Sequence, residues 1–359
     1  MKTAILSFFL FCASFSAWAA KPLNVYFIDV EGGQATLFVS PSGESMLVDA
    51  GWDGFNGRDA ERILQAAKDA GVKEINYLVV THYHSDHVGG VPQLAAKIKI
   101  DHFVDHGPSF EHGERPDALF AAYEQVRQSG DHIVAKPGDK LPLKGIDVEF
   151  VTAAGEVISG PLLQPGTSKP RQKAGVLNPT CATAQVRDID PSENSHSVGM
   201  LLTFGKFRMS DLGDLTWNKE IELVCPNNRV GTVDVYLANH HGTYSENGGA
   251  SGSPQIVQAL APRVAIIDNG AKKGGAPEDL QIIRQAPGLE DIWQLHSSAA
   301  AGKDNAPETY IANLANPDED AQGDRGYWIK LSAESNGKFS ITNGRTGEKK
   351  DYLPAGHKK

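Results

Sequence analysis

The chain is poor in cysteine. Only three of its 359 residues are cysteines (Cys12, Cys181 and Cys225), and none of them lies in a metal-ligand motif. This excludes a cysteine-ligated metal site, so any metal ligands in this protein must be nitrogen and oxygen atoms.

Positive charge is also scarce. The chain has 34 Lys and Arg against 44 Asp and Glu, which gives a formal net charge of −10. A surface that coats nucleic acid needs clustered Lys and Arg, and this composition excludes such a surface as a general feature. The composition does not indicate an oligomeric state.

A long apolar run occurs at the start of the chain. Lys2 precedes an apolar stretch over residues 4–15, and Ala17-Trp18-Ala19 follows as an Ala-x-Ala cleavage pattern. The stretch is well short of the ~20 residues that cross a bilayer, which argues against an uncleaved anchor. We therefore predict a secretory signal peptide over residues 1–19 and a periplasmic or secreted mature protein without a transmembrane segment.

Signal cleavage would remove Cys12 and leave Cys181 and Cys225. Two cysteines of an exported chain can form a disulfide. Whether their Cα atoms are close enough does not follow from the sequence, so the paired and the reduced states both remain open.

Residues 20–359 contain no repeat and no dividing linker, and we expect one domain. Strands are predicted over residues 25–30, 36–39 and 46–49, followed by a helix from Arg58 to Ala70 that ends at Gly71. Strands and helices then alternate to about residue 150, which predicts layers of sheet and helix. Further strands (263–267 and 292–296), a helix (277–285) and a terminal hairpin (327–331 with 338–342) are predicted later.

The most informative segment contains three imidazoles and one carboxylate within six residues: His82, His84, Asp86 and His87. It directly follows an apolar run over residues 75–80. In an extended segment residues i and i+2 point the same way, so His82 and His84 can converge on one ion. The chain must then turn, which lets Asp86 and His87 face a second ion. Imidazole and carboxylate together suit zinc or a similar dication, whereas a solvated His-rich turn would lack this strand-then-turn context.

This His-x-His-x-Asp-His pattern, preceded by Leu78-Val79-Val80-Thr81 and followed by Gly89-Gly90, resembles the metallo-β-lactamase superfamily of hydrolases. The resemblance implies an α/β fold, a four-layer αββα sandwich. It also implies that Asp49, before Gly51, accepts hydrogen bonds from the metal loop and fixes its ligands. The alternative for Asp49 is an aspartate that only initiates a turn.

The resemblance implies three further ligands downstream. A lone histidine, His196, would join His82 and His84 at the first ion; a surface histidine is the alternative, because some relatives carry Asn here. Asp214, which ends a Gly-Asp pair, would bridge the ions, and Asp211 would remain outside. His241 would join Asp86 and His87 at the second ion. His240 is nearly as good a candidate as His241, and the other of the two would lie at the pocket rim or bind substrate.

A loop over about residues 153–195 interrupts the regular pattern and is rich in Pro, Gly, Ser and Thr. Loops of this length within compact domains are usually functional or disordered. Because it leads into His196, we expect it to form a wall over the metal site, with Lys169, Arg171 and Lys173 contacting an anionic substrate. A solvated basic loop is the alternative.

These features predict a hydrolase with two zinc ions, with Mn²⁺ or Fe as alternatives, in which Asp86 and Asp214 support catalysis. A dication lowers the pKa of a bound water towards neutrality, so a metal hydroxide can attack an electrophilic centre. Residues 27–35 resemble the DNA-uptake competence and phosphorylcholine-esterase branch, which favours a phosphoester or phosphodiester among small-molecule and ester substrates. The alternatives are a lactonase, a β-lactamase-type amidohydrolase, or a non-catalytic exported zinc-binding protein.

Overall fold

A computed structural model describes residues 21–245, 250–316 and 323–354. The predicted signal peptide, residues 1–19, lies outside the described residues. The helices are α1 (Arg58–Ala70), α2 (Val91–Ala95), α3 (Glu114–Arg127), α4 (Trp217–Val224), α5 (Pro254–Leu260) and α6 (Pro277–Ile283). The strands are β1 (Leu23–Phe27), β2 (Thr36–Val39), β3 (Ser45–Val48), β4 (Ile75–Val79), β5 (Ile100–Asp105), β6 (Asp131–Val134), β7 (Lys140–Leu141), β8 (Asp147–Ala153), β9 (Glu156–Val157), β10 (Gly199–Phe204), β11 (Phe207–Asp211), β12 (Val235–Leu237), β13 (Val264–Ile267), β14 (Asp291–His296), β15 (Ile311–Asn313), β16 (Ile329–Ala333), β17 (Phe339–Asn343) and β18 (Lys349–Tyr352).

The strands form two mixed sheets. The first has the order β18-β17-β16-β1-β2-β3-β4-β5-β6, and the second has the order β15-β14-β13-β12-β11-β10-β8-β7, with β9 paired to β8. From β3 to β6 the strands of the first sheet are parallel, and so are those from β11 to β15 in the second. The carboxyl ends of these parallel strands carry the loops that form the site.

Alternation along the strands sends side chains to opposite faces of each sheet. In β1, Val25 and Phe27 belong to the core between the sheets, whereas Tyr26 packs on the outer face. In β12, Val235 lies in the core between the sheets and Tyr236 on the outer face. The main hydrophobic core is therefore enclosed between the two sheets.

The helices cover the outer faces. The apolar side of α1, including Ile63 and Ala67, packs on the first sheet together with α2 and α3, and the apolar sides of α4, α5 and α6 pack on the second. The order of layers is helix, sheet, sheet, helix, which confirms the predicted four-layer αββα sandwich. The predicted helix from Arg58 to Ala70 is also confirmed, and Gly71 ends it in a left-handed conformation.

The predicted terminal hairpin is confirmed as β16 and β17, but its position was not predicted. It extends the first sheet beside β1 and adds a further strand, β18. The first and last strands of the described chain thus lie in the same sheet. No helix within the described residues is both long and apolar enough to span a membrane.

The loop over residues 153–195 packs mainly on the second sheet. Its Cys181 forms a disulfide with Cys225 at the end of α4. Arg171 is buried and pairs with Asp147 at 2.8 Å and Glu149 at 3.0 Å on β8. The prediction that Arg171 contacts a substrate at the metal site is therefore wrong. Both carboxylates belong to β8, so the sequence of the loop alone does not reveal the partners of this arginine.

Candidate metal centre

The ligand motif lies in the loop between β4 and α2. His82 and His84 converge as the i, i+2 spacing predicts, with His82 Nε2 3.1 Å from His84 Nδ1. The glycines after the motif allow the loop to pack closely against its neighbours. A Cβ atom on Gly90 would lie 2.0 Å from the carbonyl oxygen of Ala50, so only glycine fits here.

Four side chains from three loops meet at one end of the sandwich. Asp86, His87, Asp214 and His241 are all buried, and their ligand atoms lie within 4.8 Å of one another. His241 Nε2 is 3.2 Å from His87 Nε2 and 3.4 Å from Asp86 Oδ2. Ring nitrogens that face each other at this distance, beside carboxylates, are typical of a site that holds a cation.

Asp214 lies between two groups of imidazoles. Its Oδ1 is 3.4 Å from His241 Nε2, and its Oδ2 is 3.2 Å from His87 Nε2, 3.4 Å from His240 Nε2 and 3.8 Å from His82 Nε2. Asp214 thus lies within 3.8 Å of His82, predicted for the first ion, and of His87 and His241, predicted for the second, as a shared ligand must. Asp211 instead points away from this group, and Gln34 Nε2 donates to both of its oxygens at 3.0 Å.

His82 and His87 each have an oxygen atom next to the ring nitrogen that faces away from the cluster. Asp49 Oδ2 is 2.7 Å from His87 Nδ1, and Asp49 also accepts from the backbone N–H and the hydroxyl of Thr81. The Thr81 hydroxyl is 3.0 Å from His82 Nδ1. Oxygens at these nitrogens fix the tautomer and direct the other nitrogen into the cluster.

Carboxylates stand in the same position behind two other histidines. Asp268 Oδ1 lies 3.3 Å from His241 Nδ1, and Glu111 Oε1 lies 3.3 Å from His84 Nε2. Neither carboxylate was predicted from the sequence. Each comes from a distant segment, and no local spacing relates it to its histidine.

The loop after β12 holds its histidines in an unusual backbone conformation. His240 and His241 both have positive φ angles, 52° and 57°, and so does Asp49, with 59°. Non-glycine residues with such angles are uncommon and often occur at functional sites. Here the positive φ angles occur at the predicted ligand His241, at its neighbour His240, and at Asp49, which supports His87.

The charges in the cluster suit metal binding. Burial raises the pKa of Asp86 and Asp214, but the adjacent histidines outweigh burial and hold both pKa values well below the ordinary value. Burial lowers the pKa of His82 well below its ordinary value, so this imidazole is neutral. For His241 burial acts in the same direction, yet Asp214 and Asp268 raise its pKa to about 9. Metal binding at His241 would therefore release a proton.

The contacts of His196 are with residues outside the cluster. Its ring stacks on Phe110 with centroids 3.7 Å apart, and its Nδ1 lies 3.1 Å from the carbonyl oxygen of Ser192. None of the contacts described for His196 includes another predicted ligand, which argues against His196 as a ligand. The residue of this turn that lines the pocket is Asn194, whose buried side-chain oxygen has no hydrogen-bond partner among the described residues.

Glu193 holds the wall of the site together. It is buried and accepts hydrogen bonds from the backbone N–H of Phe110 at 2.5 Å, from Ser109 Oγ at 3.1 Å and from Tyr83 N–H at 3.3 Å, and it pairs with His106 at 2.9 Å. Burial alone would raise its pKa, but His106 and these donors lower it to about 2.

An open pocket of about 400 Å³ lies over the cluster. Its lining includes the side chains of the metal loop together with residues that no motif predicted. Lys273 contacts Asp86, and its ammonium is 5.0 Å from the centre of the Trp52 ring. The residues that line the pocket include Trp52, His84, Asp86, Asn194, Asp214, His240 and Lys273.

This donor set fits two dications. It supplies imidazole nitrogens and carboxylate oxygens, the ligands that zinc, manganese and iron accept. Asp214 Oδ1 is buried and has no hydrogen-bond partner among the described residues. A buried carboxylate oxygen of this kind is costly unless a proton or a cation compensates it.

Residues 28–170 match the sequence profile of the metallo-beta-lactamase superfamily. The matched segment is about two fifths of the chain and contains the ligand loop of His82, His84, Asp86 and His87. Over 78 residues it is 33% identical to a hydroxyacylglutathione hydrolase of Haemophilus ducreyi, and the match covers 22% of this chain and 26% of that protein. The chain thus matches only about a quarter of the length of this curated relative.

Solved structures of the metallo-β-lactamase superfamily are also similar to this chain. The metallo-beta-lactamase fold protein YhfI of Bacillus subtilis is 12% identical, with a TM-score of 0.46, and the match covers 76% of this chain and 96% of that protein. The diiron β-hydroxylase CmlA of Streptomyces venezuelae is 15% identical, with a TM-score of 0.37, over 76% of this chain and 48% of its own.

Replacing Asp214 should disturb the metal centre more than replacing Asp211. Asp214→Asn replaces the carboxylate between the imidazole groups with a neutral amide that has a single oxygen. We expect metal affinity and kcat to fall by at least the roughly 10- to 100-fold that even indirect supporting residues cost. Asp211→Asn, the matched control, should keep its bound metal and most of its activity. A fully metallated, active Asp214 variant beside an inert Asp211 variant would contradict the assignment.

Glu193 should contribute to acid stability. Its pKa falls from 4.5 to about 2 on folding, so its contribution is complete above pH 4.5 and is lost as the pH falls towards 2. We expect about 3 kcal/mol of unfolding free energy from this shift. Urea titrations at pH 6 and pH 3 should show a smaller pH effect in Glu193→Gln than in the exposed control Glu156→Gln. Equal pH effects would refute this role.

Proposed function

We propose that this protein is an exported metal-dependent hydrolase with a dinuclear site that acts on a phosphoester or phosphodiester. The observation that carries the proposal is the position of Asp214, which lies between two imidazole groups at the floor of an open pocket. A protein that only stores zinc needs no bridging carboxylate and no open pocket. The geometry therefore favours catalysis over the non-catalytic alternative.

The two ions would be held by different parts of the cluster. His82 and His84 would hold the first, and Asp86, His87 and His241 the second, with Asp214 shared between them. When bound, the dications would supply Lewis acidity and lower the pKa of a water molecule. Asn194 and His240 line the pocket and are placed to orient a substrate.

The protein's own residues keep this arrangement rigid. Asp49 and Thr81 hold the outer nitrogens of His87 and His82, so each ring presents a fixed nitrogen to the cluster. The backbone N–H of His240 donates to the carbonyl of Gly213 at 3.0 Å, which ties the loop after β12 to the loop of Asp214. A site fixed in this way loses little free energy to reorganisation during the reaction.

Two observations support the finer parts of the proposal. Lys273, a cation beside the cluster, favours a substrate with negative charge, in line with the resemblance of residues 27–35 to phosphoester-cleaving relatives. The disulfide between Cys181 and Cys225 supports export, because disulfides persist in oxidising compartments. The local match to a hydroxyacylglutathione hydrolase supports the second candidate, a lactonase or other carbonyl-directed hydrolase.

A substrate panel tests the proposed function. The zinc- and manganese-loaded protein would be assayed on a phosphodiester, a phosphomonoester, a lactone, a thioester and a β-lactam, with metal content measured in parallel. We expect the highest kcat/KM on the phosphodiester or phosphomonoester, and loss of turnover in His241→Ala together with loss of metal. Preference for the lactone or thioester would favour the second candidate, and a fully metallated protein inactive on all five would support the zinc-binding alternative.

A further inference from the structure

Lys273 is the least explained residue of the pocket. It lies in the loop after β13, and its ammonium group contacts Asp86 Oδ2, an oxygen that the second ion would need. Its side chain is about one-third exposed, at 34%, and opens to the pocket. The Trp52 ring, 5.0 Å away, covers another side of the ammonium.

The backbone around Lys273 is closely fixed. Its carbonyl accepts a hydrogen bond from Gly270 N–H at 2.8 Å, and a Cβ on Gly32 would lie 2.8 Å from the Lys273 Cβ. The loop between β1 and β2 therefore packs directly against this lysine. Such packing limits where the ammonium can move, and the pocket is its open direction.

Two other charged side chains of the pocket, Arg115 and Glu111, have partners that are not predicted ligands of the second ion. Arg115 pairs with Asp53 at 3.2 Å, and Glu111 lies 3.3 Å from His84 and accepts from the backbone N–H of Glu193. Lys273 differs because its partner, Asp86, is a predicted ligand of the second ion. An ammonium and a dication cannot share one carboxylate oxygen without strong repulsion.

We propose that Lys273 exchanges partners: a dication that binds Asp86 displaces the ammonium, which then binds the anionic group of the substrate in the pocket. This inference rests on the proposed function and narrows its substrate to anionic esters, such as a phosphodiester monoanion. Metal binding at the second site and anion binding in the pocket are then coupled, because the same ammonium takes part in both equilibria.

The exchange predicts opposite changes in the affinities for metal and for anion, which a purely structural role of Lys273 would not produce. Removing the charge of Lys273 removes a competitor at Asp86, so the affinity for the second dication should rise. The same change removes a group that binds the anion, so the affinity for the anion should fall. A residue that only supported the fold would lower both affinities when replaced.

The test uses zinc alone and inorganic phosphate as probes. Zinc affinity would be measured by competition with a chelator, and phosphate affinity by calorimetry on the zinc-loaded mature protein, for Lys273→Gln, Lys273→Arg and the neighbouring exposed control Lys272→Gln. We expect Lys273→Gln to bind the second zinc on the order of tenfold more tightly and phosphate on the order of tenfold more weakly, a usual size for coupled binding. Lys273→Arg should stay near the wild type in both.

Three outcomes would overturn the exchange: both affinities falling together, only one of them changing, or Lys272→Gln behaving like Lys273→Gln.

Kinetics on an anionic phosphodiester and a neutral phosphotriester with the same leaving group separate this inference from the proposed function. If the wild type cleaves neither ester, the proposed phosphoester activity fails, whereas the zinc and phosphate titrations still decide the role of Lys273. If the wild type cleaves both, Lys273→Gln should raise KM for the anionic ester only.

Discussion

The contact of the Asp214 carboxylate with histidines from separate loops is the interaction on which the site depends. His87 comes from the loop after β4, Asp214 from the loop after β11 and His241 from the loop after β12. These loops meet because the two sheets enclose a common core and present the carboxyl ends of their parallel strands at the same edge. The packing of the sheets thus determines whether a metal centre can form.

Close packing between the two halves holds that edge in place. The backbone N–H of Val198 donates to the carbonyl of Thr81 at 2.8 Å, which joins the second sheet to the metal loop. A Cβ on Gly213 would lie 2.9 Å from the Cβ of Thr81. The left-handed backbone of Asp49, His240 and His241 is then a local cost, which the surrounding packing and the bound ions would offset.

The sequence predicts the parts of this site that depend on residues close together in the chain, and it does not predict the contacts between distant segments. His82, His84, Asp86 and His87 are predictable because strand geometry and a tight turn relate them locally. The choice of Asp214 over Asp211 came from the Gly-Asp pattern of the resembled family, and the structure puts Asp214 among the histidines. The four residues of the loop belong to one short segment, in which residue spacing indicates where the side chains point.

The remainder depends on the path of loops across the sandwich. Asn194 and His196 share one turn, in which Asn194 lines the pocket and His196 stacks on Phe110. Lys273 is 187 residues from Asp86, and Arg171 meets carboxylates on β8 rather than the site. No spacing in the sequence encodes these contacts.

Metal stoichiometry tests the account most directly. Elemental analysis of the purified protein after reloading with zinc should find two ions per chain in the wild type, and also in His196→Ala, because His196 stacks on Phe110 instead of facing Asp214. At most one ion in the wild type, even in excess zinc, would contradict the dinuclear site. Loss of one ion in His196→Ala would contradict the ligand set.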